Sequence, residues 1–261
     1  MTYQTLEIES RDGVATVWMN RAEAHNAFNE TLIGELTGTF EALERDPDVR
    51  LIVLAGRGKS FSAGADLEWM SRAAGYSEEE NRRDARKLSK MYVTIHRLSK
   101  PTIARVHGAA LGGGVGLTAA CDIVVASTRA SFATTEVKLG MIPSVISPYV
   151  IAAIGQRQAH RYFLTAERFD AVEAHRIGLV HLVCEPEDLD KQVAVVAETL
   201  IANSPMAQSA AKELIFSVAD HSIGDVLIED TAQRIAKSRA TAEAKEGIAA
   251  FLEKRKPRWR P

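Results

Sequence analysis

Apolar positions along this chain of 261 residues change period several times, and each change marks an element. Thr5 to Ser10 and Val14 to Met19 read as two strands joined by a turn at Arg11-Asp12-Gly13. Asn29 to Glu44 has helical spacing, with Leu32, Leu36, Phe40 and Leu43 on one stripe. Leu51-Ile52-Val53-Leu54 is a continuous apolar run, as expected of a strand covered on both faces. A long helix is predicted from about Ser77 to Leu98, with Leu88, Met91, Tyr92, Ile95 and Leu98 facing one way and acids and arginines filling the rest. Thr102 to Val106 and Ile123 to Ala126 add two core strands. Strands alternating with helices predict a parallel α/β arrangement. From Asp188 onward no strand pattern recurs, so the chain divides into residues 1–185, an α/β core, and residues 186–261, a helical C-terminal region.

Composition narrows the class of protein. A hydrophobic fraction of 46% and a charged fraction of 25% are ordinary for a soluble globular chain. The net charge of −2 argues against a nucleic-acid surface, so no nucleic-acid partner is expected. Cys121 and Cys184 are the only cysteines, which implies no disulfide framework and favours a reducing compartment. No apolar run approaches the roughly 20 residues that span a bilayer, and the first residues do not resemble a signal peptide. No membrane partner is expected, and the expected location is the cytoplasm. The seven histidines show no metal-like spacing, so no metal is expected.

Candidate chemistry sits in two glycine-bearing segments, Phe61-Ser62-Ala63-Gly64-Ala65-Asp66 and Gly108-Ala109-Ala110-Leu111-Gly112-Gly113-Gly114-Val115-Gly116. Each follows a strand-like run and leads into a helix-like stretch, an arrangement that aims unpaired backbone N–H groups at a ligand. Two such donors on one carbonyl oxygen make an oxyanion hole. Gly56-Arg57-Gly58-Lys59-Ser60 imitates a phosphate-binding loop, but Val53 stands where that motif needs its first glycine.

The paired segments resemble the crotonase (enoyl-CoA hydratase/isomerase) superfamily, and the resemblance extends from Asn20-Arg21 to Arg255. It implies a crotonase-like spiral of repeated ββα units with a helical C-terminal trimerisation region. It also implies a homotrimer or homohexamer, and an acyl-CoA as substrate rather than any resident cofactor. By the same resemblance Ala65 and Gly113 carry the oxyanion N–H groups. Ala24, Ala27, Ala63, Asp66, Leu67 and Gly112 border the CoA and acyl path; Asp66 reads equally well as a helix-start residue. In the family, two glutamates flank the acyl group, and only the second matches here, as Glu136. Gly116 occupies the position of the first.

Glu136 is therefore the expected acid–base group, and the bare Gly116 is expected to leave room for water or a branched acyl chain. The stretch Gly140 to Val150, with Ile146-Ser147-Pro148, looks like bacterial methylglutaconyl-CoA hydratases of leucine breakdown and hydratases of acyclic terpene degradation. The expected activity is hydration of a branched, carboxylated enoyl-CoA. An isomerase moving a double bond between the 3 and 2 positions with one glutamate is the alternative, and a non-catalytic CoA-binding scaffold a further one.

Overall fold

A computed structural model describes residues 3–260; residues 1, 2 and 261, at the ends of the two ranges above, lie outside it. The strands are β1 (Leu6–Arg11), β2 (Val14–Met19), β3 (Leu51–Gly56), β4 (Ser60–Ser62), β5 (Thr102–Val106), β6 (Ala109–Leu111), β7 (Ile123–Ser127), β8 (Ser131–Ala133), β9 (Phe169–Asp170) and β10 (Leu182–Cys184). The helices are α1 (Glu30–Arg45), α2 (Leu67–Ala73), α3 (Glu78–His96), α4 (Gly113–Ala120), α5 (Ser147–Thr165), α6 (Ala171–Arg176), α7 (Leu189–Ile201), α8 (Pro205–Val218), α9 (Asp225–Ala240) and α10 (Ala242–Leu252).

The first hairpin turns through Asp12 and Gly13, both at positive φ, the two-residue geometry that matches strand twist. β1 and β2 are antiparallel; β2, β3, β5, β7 and β10 follow side by side in parallel. Helix α1 starts where the Asn29 side chain accepts the Leu32 N–H, and Ser77 with Glu80 forms a reciprocal capping box at α3. Both helices bury the stripe read from the sequence: Leu32, Leu36, Phe40 and Leu43 on α1, Met91, Tyr92 and Ile95 on α3.

Between the large-sheet strands, the chain steps repeatedly to a second sheet. β4, β6 and β8 follow β3, β5 and β7 after a few residues and pair with one another in parallel, with β9 closing the edge antiparallel. This alternation is the repeated ββα spiral that the resemblance implied. Gly58 (φ +80°) makes the step from β3 to β4, so the glycine–lysine–serine run is a turn, with Arg57 paired to Glu7 and Glu9.

The large sheet is covered on both faces, as its apolar β3 requires. Ile52 and Leu54 join the main core, while Leu51 and Val53, with Ile103 and Val125, pack under Leu189, Val193 and Ala197 of α7. The boundary near residue 185 thus marks a change of element type, since α7 still covers the sheet. Beyond it the described residues form helices and the loops that join them, with no strand. Lys212, the buried residue of α8, pairs with Asp122 at 2.7 Å, and Asp122 also accepts from the N–H and hydroxyl of Thr102. No helix of the described residues is long and apolar enough to cross a membrane, and Cys121 and Cys184 are unpaired.

Candidate active site

Three adjacent parallel strands deliver the site. Ala65 lies three residues beyond β4, Gly113 two beyond β6 and Glu136 three beyond β8. The strands lie in the order β4–β6–β8, β6 and β8 pairing without a shift and β4 meeting β6 through an irregularity between Ser60 and Ser62, and the Gly112 N–H donates to the Ala133 carbonyl at 2.8 Å, tying the end of β6 to that of β8. Groups far apart in sequence therefore emerge at the same edge, the carboxyl ends of parallel strands, where ligands of such sheets bind.

The two candidate N–H groups are held differently. Ala65 bridges Phe28: the Phe28 N–H donates to Gly64 O at 2.6 Å and the Asp66 N–H to Phe28 O at 2.9 Å. Both bonds come from the residues flanking Ala65, so its own N–H turns away from Phe28. Gly113 is the first residue of α4, where a helix has N–H groups without internal partners. Its predecessor Gly112 has φ +49° and ψ −115°, a backbone shape that glycine adopts without strain. The two loops touch: a Cβ placed on Gly64 would lie 3.6 Å from Gly113 N and 2.8 Å from Leu111 O.

Glu136 stands against the second loop, with Oε1 3.2 Å from where a Cβ on Gly112 would be. Its Oε2 is buried and has no hydrogen-bond partner among the described residues. Burial pushes this carboxyl above the ordinary glutamate value, against a smaller opposing hydrogen bond from its own backbone. Among the described residues, Lys138 makes no ion pair with it.

The early loop packs on the first donor segment. The Ala63 N–H donates to His25 O, and the Asn26 side chain donates to the Arg57 and Ser60 carbonyls. This places half-buried Ala24 and buried Ala27 beside half-buried Ala63 and Ala65. Asp66 caps α2: Oδ1 accepts from the Glu68 and Trp69 N–H groups, and Oδ2 takes the Arg21 guanidinium at 2.9 Å. Of its two expected roles the structure assigns it the helix start, with both oxygens engaged. Leu67, 82% exposed, is open to a ligand.

Gly116 corrects an expectation. A Cβ there would lie 2.3 Å from Ile146 Cγ2 and 2.9 Å from Tyr92 Cε1, so the space is already filled and holds neither water nor a branched acyl group. Ile146, Tyr92 and Phe28 surround the site, a place that the sequence assigned to none of them. Tyr92 sat in an apolar helical stripe, which marked it as core. Nothing local marked Ile146 as a neighbour of residue 116.

The Enoyl-CoA hydratase/isomerase family profile matches residues 9–261. The chain belongs to that family. An enoyl-CoA hydratase of Shewanella pealeana, at 42% identity, superposes with a TM-score of 0.95 over 98% of this chain and 96% of its own. Crotonyl-CoA hydratase of Syntrophomonas wolfei is 35% identical over 98% of both chains. Short-chain-enoyl-CoA hydratase of Clostridium acetobutylicum is 33% identical over 98% of this chain and 97% of its own.

Two tests follow from the geometry. Proline at 113 would remove the donor but collide with Phe28, whose Cε2 lies 2.4 Å from the required Cβ. Replacing the 112–113 peptide bond by an ester, with glycolate at 113, removes the N–H without adding a side chain, and only weakens the Gly112 carbonyl as acceptor for Val115 and Gly116. Turnover is expected to fall about 10²–10³-fold with unchanged circular dichroism, the effect of losing one oxyanion donor. Gly116→Glu is expected to overpack the core and lower unfolding free energy by about 1–3 kcal/mol. Adding Ile146→Ala should recover part of that loss in urea titrations; no recovery would mean Ile146 is not the obstacle.

Proposed function

We propose that this chain is an enoyl-CoA hydratase in which Glu136 is the only acid–base carboxylate. The observation that carries this reading is the buried, unpartnered Glu136 Oε2 beside the loop bearing the Gly113 N–H. A thioester oxygen held by the Ala65 and Gly113 N–H groups draws electrons from the conjugated double bond and makes its β-carbon electrophilic. Water attacks that carbon as Glu136 takes one of its protons. The same carboxyl then returns the proton to the α-carbon, ending as it began. Short residues at 24, 27, 63 and 112 let CoA approach the backbone, with Leu67 as an apolar wall.

For the acyl group we propose the branched, carboxylated type, on the resemblance of the Gly140–Val150 stretch. Ile146 from that stretch fills the place of the absent carboxylate, so the same segment shapes the site. Arg72, Arg82 and Lys90 are paired with Glu30, Glu79 and Glu41. Arg83 and Arg86 of α3, both exposed, make no such ion pair among the described residues. The filled space at Gly116 favours a second reading, double-bond isomerisation, which needs one carboxylate and no positioned water.

We further propose a homotrimer or a pair of trimers. Helix α9 buries none of its residues, and Ile215, Val226, Ile228, Ile235 and Phe251 on the C-terminal helices, with Ile223 in the loop between α8 and α9, are exposed. Such apolar surface is covered by partner subunits in an assembly. Sedimentation equilibrium is expected to give three or six times the 28.5 kDa chain mass; a monomer at micromolar concentration contradicts this.

Glu136→Gln is expected to lower hydration about 10²–10⁴-fold while leaving CoA affinity intact. Activity in the parent should fall as pH drops through the raised Glu136 value, because only the carboxylate can take the proton from water. The folded state binds that proton more tightly than the unfolded chain. Stability should therefore decline as pH rises from the ordinary glutamate value through the raised one, and the glutamine variant should lack this decline. Assays with 3-methylglutaconyl-CoA, crotonyl-CoA and a 3-enoyl-CoA should show hydration of the first two, the branched substrate preferred. Faster shifting of the 3-enoyl double bond than either hydration would establish the isomerase instead.

A further inference from the structure

One buried hydroxyl beside the site has no part in the steps above. Tyr92, on α3, is 0% exposed, and its hydroxyl donates to the Gly113 carbonyl at 2.8 Å. A Cβ on Gly113 would lie 2.9 Å from that hydroxyl, and one on Gly116 2.9 Å from Cε1 of the same ring. Two glycines nearly one helical turn apart thus leave their side-chain space to one tyrosine. The ring is held in turn by Phe28, edge-on at 6.5 Å between centroids, and by Tyr149 at 5.7 Å.

This contact lands where the backbone is least constrained. Gly112, Gly113 and Gly114 are consecutive, and glycine has the widest backbone freedom of any residue. An oxyanion donor is effective only if its direction is fixed before reaction, since reorienting it would restore the cost that a prepared site avoids.

We propose that Tyr92 is a positioning residue for the oxyanion hole: its hydroxyl, bonded to the Gly113 carbonyl, fixes that residue so that its N–H points at the thioester oxygen. The proposal rests on the oxyanion reading given above. Tyr92 has no exposed surface, so it acts through Gly113 and does not touch the thioester. Burial, with the nearby Glu136 charge, holds its phenol well above the ordinary tyrosine value, so it remains a donor throughout the working pH range. Its ring, with Ile146, occupies the space where a side chain at 116 would stand, so this support and a second carboxylate exclude one another.

The test pairs Tyr92→Phe, which keeps the ring and its packing, with Thr118→Val. Thr118 Oγ1 donates to the Gly114 carbonyl at 2.9 Å, the next carbonyl of the same helix, and is equally buried. The probe is 4-(dimethylamino)cinnamoyl-CoA, whose absorption moves to the red when its thioester carbonyl is polarised. For Tyr92→Phe, the red shift on binding should shrink and kcat fall about 10- to 100-fold, with KM within about threefold. Thr118→Val should keep the full shift and kcat within about threefold, even if it melts earlier. A parent-like shift and kcat in Tyr92→Phe would overturn the proposal, as would the same losses in Thr118→Val, which would reveal mere loosening of the helix. A parent protein giving no red shift would overturn the oxyanion reading itself, and the proposal with it.

Discussion

Parallel pairing of three very short strands is the constraint on which the site depends. β4, β6 and β8 have three residues each, too few to be stable alone. They are held because each follows a longer strand of the large sheet after a tight turn. Neighbouring strands lie about 4.8 Å apart, so that spacing governs how far apart the Ala65 and Gly113 N–H groups and the Glu136 carboxylate stand. The large sheet fixes the small one, and the small one fixes the chemistry.

This hierarchy explains what could be read from the sequence. The long strands and the helices α1 and α3 were legible because periodicity is strong over many residues, and their caps, Asn29 and Ser77, stood where the pattern began. The step to a second sheet was not legible from periodicity, since three residues carry no measurable alternation. It followed only from the resemblance. Ala65, Gly113 and Glu136 could be named as candidates because local motifs mark them, and the structure brings them to one edge of the small sheet. The side chains that shape the space between them were not, because Tyr92, Phe28 and Ile146 come from three separate elements and look like ordinary core residues. Gly116 shows the difference most plainly: a missing side chain suggests a void, but here neighbouring side chains close it.

Asp66 gives a related lesson about polar residues near a site. A carboxylate next to the Ala65 N–H invites a role in binding, yet its oxygens are taken up by two N–H groups of α2 and by Arg21. Its contribution is to hold the loop of residues 20–27 to the start of α2, which keeps Ala65 in place. Buried polar groups satisfied in this way specify geometry, and Glu136 is distinguished from them by the oxygen left without a partner.

The filled space at Gly116 also has an historical side. A descendant of this chain that acquired a carboxylate there would meet Ile146 and Tyr92 at once, and shrinking either residue first would open a cavity in the core before any carboxylate arrived to fill it. The substitutions are thus mutually conditional: each is harmful until the others are present. A chain that has packed this corner with an isoleucine and a tyrosine is thus kept from acquiring a carboxylate at 116 by steric contingency, whatever reaction selection favours.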